Sequence, residues 1–479
     1  MFTYSQHIFF VGIKGVAMAN LARILVQLGK HVSGSDVEET FITDEIIESC
    51  AIKVIHSFEG DDLPNETELV VYAASHEGRN NPQVVEAEQR NIKVLHQSEL
   101  LSQLMKLFNT SIAVAGCHGK TTTTALLSFA LKKLTPEMSY MVGTSSFNGW
   151  YGGDYDGTQY FVVEADEYGI DPPDNLTPKF HLLNPDYAII TNIDHDHPDV
   201  YPSIYDTKKA FQIFMNKLLQ KDFILPHLIV CEDDENIRDL QKSMKRDSFI
   251  TYGFSKQADV QIMQMTTSKL GSHFYISSKL FELQNVPVQI NLFGEMNTLN
   301  AAAVLTLLLQ LGFSKEKIIQ AMHGFTGAKR RFEYVGKTKK IILYDDYAHH
   351  PAEISATIAA ARLRFPNKRL VVLFQPHTYS RTEKMKHEFV KALSQADKVV
   401  LLPIFPSARE KQTDNKITSE VLAELGNKMN TDTMISSQSK DEAMYQLEVL
   451  VKPNDLIITM GAGDVYMLGK HILEIAEKK

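Results

Sequence analysis

Cysteine is scarce: Cys50, Cys117 and Cys231 are the only three in 479 residues, and none forms a CxxC pair. So sparse and odd a set excludes a disulfide framework or a cysteine-built zinc site, and suits a reducing cytosol. Long apolar runs are missing too. Stretches such as 301–309 fall well short of the roughly 20 residues that a membrane-spanning helix needs. The opening MFTYSQHIFFVGIKG has no basic stretch ahead of a long apolar core, so no signal peptide is expected. Nor is there a surplus of positive charge: 49 Lys and Arg stand against 58 Asp and Glu, a net charge of −9. That balance argues against a nucleic-acid partner, which needs a basic footprint. An anionic ligand must instead be held by a local cluster. The remaining composition, 44% hydrophobic and 22% charged, is that of a soluble cytoplasmic protein able to bury several cores. At roughly 150 residues per domain, the length predicts about three domains.

Alternating patterns organise the chain. An apolar run at 7–11 leads into a glycine turn at Gly12 and Gly15, then into Val16, Leu21, Ile24, Leu25 and Leu28 at helical spacing. Short strands at 30–32, 53–55, 69–72 and 92–94 alternate with helical stretches, which predicts a parallel sheet with crossover helices. A second unit starts at Ser111 with strand, glycine loop and helix, adds strands at 160–163 and 187–191, becomes strand-rich to residue 293, and carries an apolar helix at 297–311. A third alternating region follows the basic hinge Gly327-Ala328-Lys329-Arg330-Arg331, with strands expected at 341–344, 370–374, 399–402 and 456–459. The expected architecture is three consecutive α/β domains at 1–107, 108–326 and 327–479.

The segment Ala115-Gly116-Cys117-His118-Gly119-Lys120-Thr121-Thr122 lies between an apolar strand and a helix, where a phosphate loop belongs. Glycines there let backbone N–H groups turn toward an anion, and the helix N-terminus adds partial positive charge. Lys120 can reach phosphate oxygens and the Thr121 hydroxyl can ligate Mg²⁺. The usual GxxxxGK[ST] spacing fails because Val114 occupies the first glycine position, so a shortened loop is expected. Read blandly, the segment is a plain strand-to-helix turn. Two further strands end in ligand-type side chains: Val163-Glu164-Ala165-Asp166-Glu167-Tyr168 and Thr191-Asn192-Ile193-Asp194-His195-Asp196-His197. Solvated acidic loops are the alternative, but Mg²⁺ with phosphate fits these residues better than a zinc site, for which no HExxH spacing exists.

In the third region, Asp345-Asp346-Tyr347-Ala348-His349-His350-Pro351 and Gln375-Pro376-His377-Thr378-Tyr379-Ser380-Arg381 both follow apolar strands, the edge at which open α/β sheets bind ligands. The hinge residues Lys329, Arg330 and Arg331 read either as a solvated face or as a charged finger. The first turn, Gly12-Ile13-Lys14-Gly15-Val16-Ala17-Met18, breaks the dinucleotide fingerprint at Lys14 and Met18, which weakens a nicotinamide reading. A phosphate at that helix N-terminus remains reasonable, with Ser35 and Asp36 behind it and Asp36 placed to meet a ribose hydroxyl.

Taken in register, GIKGVAM with SGSD, AGCHGKTTT, VVEADEY, ITNIDHDHPD, GEMNTLNAAA, GAKRRFE, DDYAHHPAE, FQPHTYSRT and GAGD resemble the Mur ligase family of ATP-dependent amino-acid ligases, through all three regions. The resemblance implies a Rossmann-like N-terminal domain for a UDP-sugar, a P-loop ATPase-like central domain for ATP and Mg²⁺, and a Rossmann-like C-terminal domain for the amino acid. It implies UDP-sugar contacts from Gly12, Lys14, Gly15, Met18, Ser35 and Asp36. ATP would be held by Gly116, His118, Gly119, Lys120, Thr121, Thr122, Asn297, Arg330 and Asp346, and the metal by Thr121, Glu164 and His197. Tyr347, His349, His377 and Arg381 would line the amino-acid pocket, and Lys120, His197, Arg330 and His349 would act in catalysis. The implied small-molecule partners are UDP-N-acetylmuramate, ATP and L-alanine, acting on a monomer or homodimer. Thr378 and His195 depart from the family pattern. EADEY and the long stretch 169–185 look more like the branch that joins a recycled tripeptide, whereas FQPH followed by SRT is the alanine form. A nucleotide-binding sensor without ligase activity is the alternative from another class.

Overall fold

The computed structural model describes residues 2–220, 226–268, 270–406, 417–429 and 433–478. It is an α/β structure of two compact units, the first formed by Met1–Met265, His273–Asn291 and Asn297–Thr326, the second by Thr266–Ser272, Leu292–Met296 and Gly327–Lys479.

The first unit opens with a five-stranded sheet in the order Lys53–Ile55, His31–Ser35, His7–Val11, Leu69–Tyr72, Lys93–His96. All neighbours are parallel, so the middle strands are buried on both faces and read as unbroken apolar runs such as Leu69–Tyr72. This strand order reverses direction at His7–Val11, and the glycine turn stands at that switch point.

A ten-stranded sheet follows. Its central strands, Leu228–Cys231, Tyr187–Ile190, Thr110–Ala115, Tyr160–Glu164 and Met138–Phe147, are parallel neighbours, and Trp150–Asp154 closes one edge antiparallel. The helix Lys120–Leu134 runs behind the phosphate-loop strand with every residue from Thr121 to Leu131 buried. A helix enclosed on all sides needs no amphipathic stripe, which is why this segment shows little periodicity. The helix Ile204–Leu219, absent from the sequence expectation, starts at a capping box between Ser203 and Asp206. The long stretch 169–185 forms a hairpin, Gly169–Asp171 with Asn175–Pro178, and a short turn at Lys179–Leu182.

The helix Val16–Gln27 ties the two sheets of this unit together. Pairing between Met138–Phe147 and Trp150–Asp154 shifts register between Met141 and Ser146, leaving carbonyls off the ladder. Asn20, fully buried, donates to two of them, Val142 O and Thr144 O, at 3.0 Å each. Arg23 adds a bond to Gly153 O at 3.0 Å and an ion pair to Asp154 at 3.3 Å.

The second unit holds a six-stranded sheet in the order Glu333–Lys337, Ile341–Asp346, Asp455–Met460, Leu370–Phe374, Lys398–Leu401, Met434–Ser436, parallel except at its first pair. Between the strands Leu370–Phe374 and Lys398–Leu401 stand two short helices, Tyr379–Lys384 and Lys386–Leu393, broken at Met385. Among the described residues no helix is long and apolar enough to cross a membrane.

Replacing Asn20 by Ala strands two buried carbonyls. Urea denaturation of Asn20→Ala should show a loss of about 1–3 kcal/mol.

Candidate active site

Backbone geometry at the end of the strand Thr110–Ala115 creates the loop. Gly116 has φ +142°, and a Cβ there would stand 2.0 Å from Thr191 Oγ1, so the chain turns against its neighbour as only glycine allows. The loop is then fastened to the segment after the adjacent strand. Thr191 Oγ1 and Asn192 Nδ2 donate to His118 O at 2.6 and 2.8 Å, and His118 N donates to Asn192 Oδ1 at 2.8 Å. The Cys117 thiol donates to Asp194 O at 3.2 Å, and burial pushes that thiol well above its ordinary pKa, so it is a packing group rather than a nucleophile. His118 Nε2 lies 3.2 Å from Asp194 Oδ2. Gly119, the N-cap of the helix Lys120–Leu134, supplies no side chain to its first N–H groups. Asn300 packs against Gly119 and donates to Asn297 Oδ1 at 3.4 Å, which places Asn297 beside the loop.

Val114 is the last residue before the turn to pair on both sides, with Ile189 and Glu164, and it is completely buried. The first glycine position of the usual motif is therefore a strand position here.

The acids come from the next strand. Glu164 Oε1 accepts from Thr121 Oγ1 at 3.2 Å and Oε2 from Gly143 N at 2.9 Å. A hydroxyl and a carboxylate so apposed form a hard-oxygen pair of the kind Mg²⁺ takes. Lys120 Nζ donates to Gly116 O at 2.6 Å and to Oε1 of the buried Glu167 at 3.0 Å, with Glu167 Oε2 also within ion-pair distance at 2.9 Å. Burial opposes its charge, but the carboxylates of Glu167, Glu164 and Asp166 outweigh it and hold the ammonium above the ordinary lysine range. His197, at φ +55°, places Nε2 3.5 Å from Glu167 Oε1 and 3.7 Å from Asp196 Oδ2. Thr122 is buried within the helix. Thus Gly116, His118, Gly119, Lys120, Thr121, Glu164, His197 and Asn297 gather around one loop.

At the first glycine turn, Gly12 N and Ile13 N donate to Ser35 O at 2.9 and 3.1 Å, Met18 is buried, and Ser35 Oγ donates to Gln83 at 2.6 Å. Gly15 caps the helix Val16–Gln27 without a side-chain bond. Asp36 is engaged by the backbone of the turn. It is buried, with Oδ2 accepting from Lys14 N at 2.7 Å and Oδ1 from Val37 N at 2.8 Å, so it shapes the turn from beneath. Lys14 Nζ is likewise turned inward, to Glu39 O at 2.8 Å.

In the second unit, Arg330 is set among the strand ends of its own sheet. Its side chain is buried, bonded to Asp345 at 3.2 Å and Gly461 O at 2.6 Å, with its guanidinium 4.9 Å from the Tyr347 ring centre and 4.3 Å from that of Tyr466. Arg330 therefore braces the strand ends that carry the neighbouring polar residues. Asp346 accepts from Phe332 N and Ala348 N at 2.8 and 2.7 Å, and burial, against the pull of Arg331, pushes its carboxyl up to about 6. His349 Nδ1 lies 3.0 Å from Tyr347 O and 3.3 Å from Glu353, and its ring meets His377 edge to face at 6.2 Å. Arg381 is buried one turn into the helix Tyr379–Lys384, whose N-cap Thr378 at φ +65° accepts from Arg381 N at 3.4 Å.

Residues 7–109 match the Mur ligase family catalytic domain, 114–308 the Mur ligase middle domain and 330–463 the Mur ligase glutamate ligase domain. The chain belongs to the Mur ligase family. A UDP-N-acetylmuramate–L-alanine ligase of Desulfitobacterium hafniense (strain Y51) is 36% identical over 473 residues, 98% of this chain and 99% of the relative. One of Geobacter sp. (strain M21) is 35% identical over 99% of this chain and 98% of its own length. Among solved structures, the UDP-N-acetylmuramate-alanine ligase MurC of Thermotoga maritima shares the fold at a TM-score of 0.79 and 24% identity, covering 99% of this chain and 100% of that one. The murein peptide ligase of Psychrobacter arcticus shares it at 0.72 and 22%, covering 99% of both.

Within this Mur ligase, the sequence reading passed over Glu167 and Asn192. Glu167 was one acid in a run of three, with nothing to separate it from Glu164 and Asp166 until the sheet turned it toward Lys120. Asn192 stood in a quoted motif, but its bonding to a loop more than seventy residues away has no local signal.

Restoring the usual motif should harm this protein. Val114→Gly removes a buried strand side chain and loosens the backbone, for a loss of about 2–4 kcal/mol by urea denaturation with no gain in turnover. Asp346 carries a pH signature. Its folded value near 6 exceeds the unfolded value of about 4, so its contribution is complete below pH ~4 and is lost as pH rises through ~6. The stability of the parent relative to Asp346→Asn should therefore fall by about 2 kcal/mol between pH 4 and pH 7, read from paired urea curves.

Proposed function

We propose that this protein is an ATP-dependent ligase that joins L-alanine to UDP-N-acetylmuramate through an acyl phosphate, in the cytoplasm, during peptidoglycan precursor synthesis. The observation that carries the reading is the phosphate loop with Lys120 and the Thr121–Glu164 pair beside it, in a chain whose near full-length relatives bear that name. The domain division goes with it: 1–107 for the sugar nucleotide, 108–326 for ATP, 327–479 for the amino acid.

The chemistry explains the parts. The sugar acid's carboxylate must attack the γ-phosphate, an anion approaching a polyanion, and each unit-charge pair at about 4 Å costs roughly 4 kcal/mol at a surface-like dielectric. The backbone N–H groups after Gly119 receive phosphate oxygens, and Lys120, kept charged by its acids, offsets the charge on the transferring group. Thr121 and Glu164 would hold Mg²⁺, with His197 as a further ligand; bound there, the ion would neutralise phosphate charge. Glu167 holds Lys120, and His197 lies 3.5 Å from that carboxylate. Asn297 would contact the nucleotide. Arg330 holds Tyr347 and the Asp345–Asp346 strand end in place. His349, His377 and Arg381 would receive alanine, the guanidinium taking its carboxylate while the amine attacks the acyl carbon and phosphate leaves.

Phosphate release should depend on UDP-N-acetylmuramate, ATP, Mg²⁺ and L-alanine together. Turnover with the tripeptide but not alanine would replace the amine while keeping the mechanism. Lys120→Ala should retain its circular dichroism and lose about 10²–10³-fold in kcat; parental turnover in that variant would refute the phosphate-loop assignment.

A further inference from the structure

An open pocket lies beside Glu164, between the helices Val16–Gln27 and Gln97–Met105 and the strand Met138–Phe147. Leu21, Leu101 and Met141 give it apolar walls, while Glu164, Asp166 and Lys179 supply its polar end. We propose that Lys179 is the residue that receives the carboxylate of the acceptor acid, with the apolar walls taking the acid's methyl-bearing substituents. This deepens the ligase reading and rests on it.

Three observations support the assignment. First, Lys179 is held rather than floating. Its N–H donates to Tyr168 O at 2.9 Å, Phe180 N donates to Asp166 O at 2.9 Å, and the Phe180 side chain is fully buried against Phe211 and Phe214. The short turn Lys179–Leu182 is thereby pinned to the strand end that carries Glu164. Second, the ammonium has three donors, and Asp166 Oδ2 at 2.8 Å takes one of them. The other oxygen of that carboxylate, Asp166 Oδ1, is engaged elsewhere, accepting from Tyr168 N at 3.0 Å. Third, the place is right for the reaction. An acid that attacks a phosphoryl group held by Lys120, Thr121 and Glu164 must bring its own negative charge next to Glu164, and Lys179 is the lysine that lines the pocket there. Lysine suits the task, being a compact charge that does not demand two-pronged geometry. The residue comes from the long stretch after EADEY, so it was hidden among what looked like loop.

The test separates recognition of the acid from recognition of the sugar nucleotide. Calorimetric titration of the full chain with UDP-N-acetylmuramate, and with UDP-N-acetylglucosamine as the same nucleotide sugar lacking the lactyl acid, compares parent, Lys179→Met and Lys179→Arg. Lys179→Met should bind the acid-bearing sugar about 10–100-fold more weakly and the neutral sugar as the parent does. Lys179→Arg should recover most of the loss. In turnover, Lys179→Met should raise KM for the sugar acid and leave KM for ATP unchanged. Equal weakening for both sugars would show a merely structural role, and no weakening for either would show no role; each overturns the proposal. Failure of the ligase reading is distinct, because the parent itself would then release no phosphate with any amine.

Discussion

A buried ammonium among three carboxylates is the constraint around which the first unit is arranged. Isolated, the Lys120 charge could not persist in so enclosed a place. Glu167 meets it with both oxygens, and Glu164 and Asp166 add their field, so the lysine remains charged where phosphate chemistry needs it. Each acid has a second duty. Glu167 lies beside His197, Glu164 receives Thr121, and Asp166 grips Lys179. One strand end, Glu164 to Glu167, thus distributes cations and ligands around the loop. In a molecule of net charge −9, a buried lysine keeps its charge through such local pairing.

The loop itself owes its shape to a neighbouring strand. Thr191 and Asn192 hold the His118 carbonyl and N–H, and Asp194 engages Cys117 and His118. These bonds take the place of the extra turn that a longer phosphate loop would use. Shortening is possible because Val114 stays in the sheet and the turn is completed against the adjacent segment. The first sheet is coupled to the same body by Asn20, whose partners are carbonyls within a register shift, and by Arg23, which meets Gly153 O and Asp154. The turn expected to receive a sugar nucleotide and the loop expected to receive ATP are therefore carried by one packed unit.

In the second unit the same economy appears with opposite signs. Arg330 is sandwiched by Tyr347 and Tyr466 and tied to Asp345, and burial pushes Asp345 up even beside that guanidinium. The basic hinge is thus partly structural. His349, at the adjoining strand end, is oriented by Tyr347 O and Glu353 and meets His377 ring to ring.

Sequence alone determined whatever depends on periodicity and on residues close in the chain: the alternation of strands and helices, the parallel sheets, the phosphate loop between strand and helix, and polar clusters at strand ends. It carried the family as well, because nine motifs in register leave little freedom. Tertiary structure alone decided the partners. Asp36 is bonded to Lys14 N under the glycine turn, Arg330 to Gly461 O, and Glu167 and Lys179 emerged as the groups facing the loop and the pocket. The helix Ile204–Leu219 and the edge hairpin Met138–Phe147 with Trp150–Asp154 likewise took shape only against the surfaces that bury them. The reason is physical: a side chain's direction, and the charge it keeps, are set by dielectric and contacts from segments far away in the chain, which local pattern does not encode.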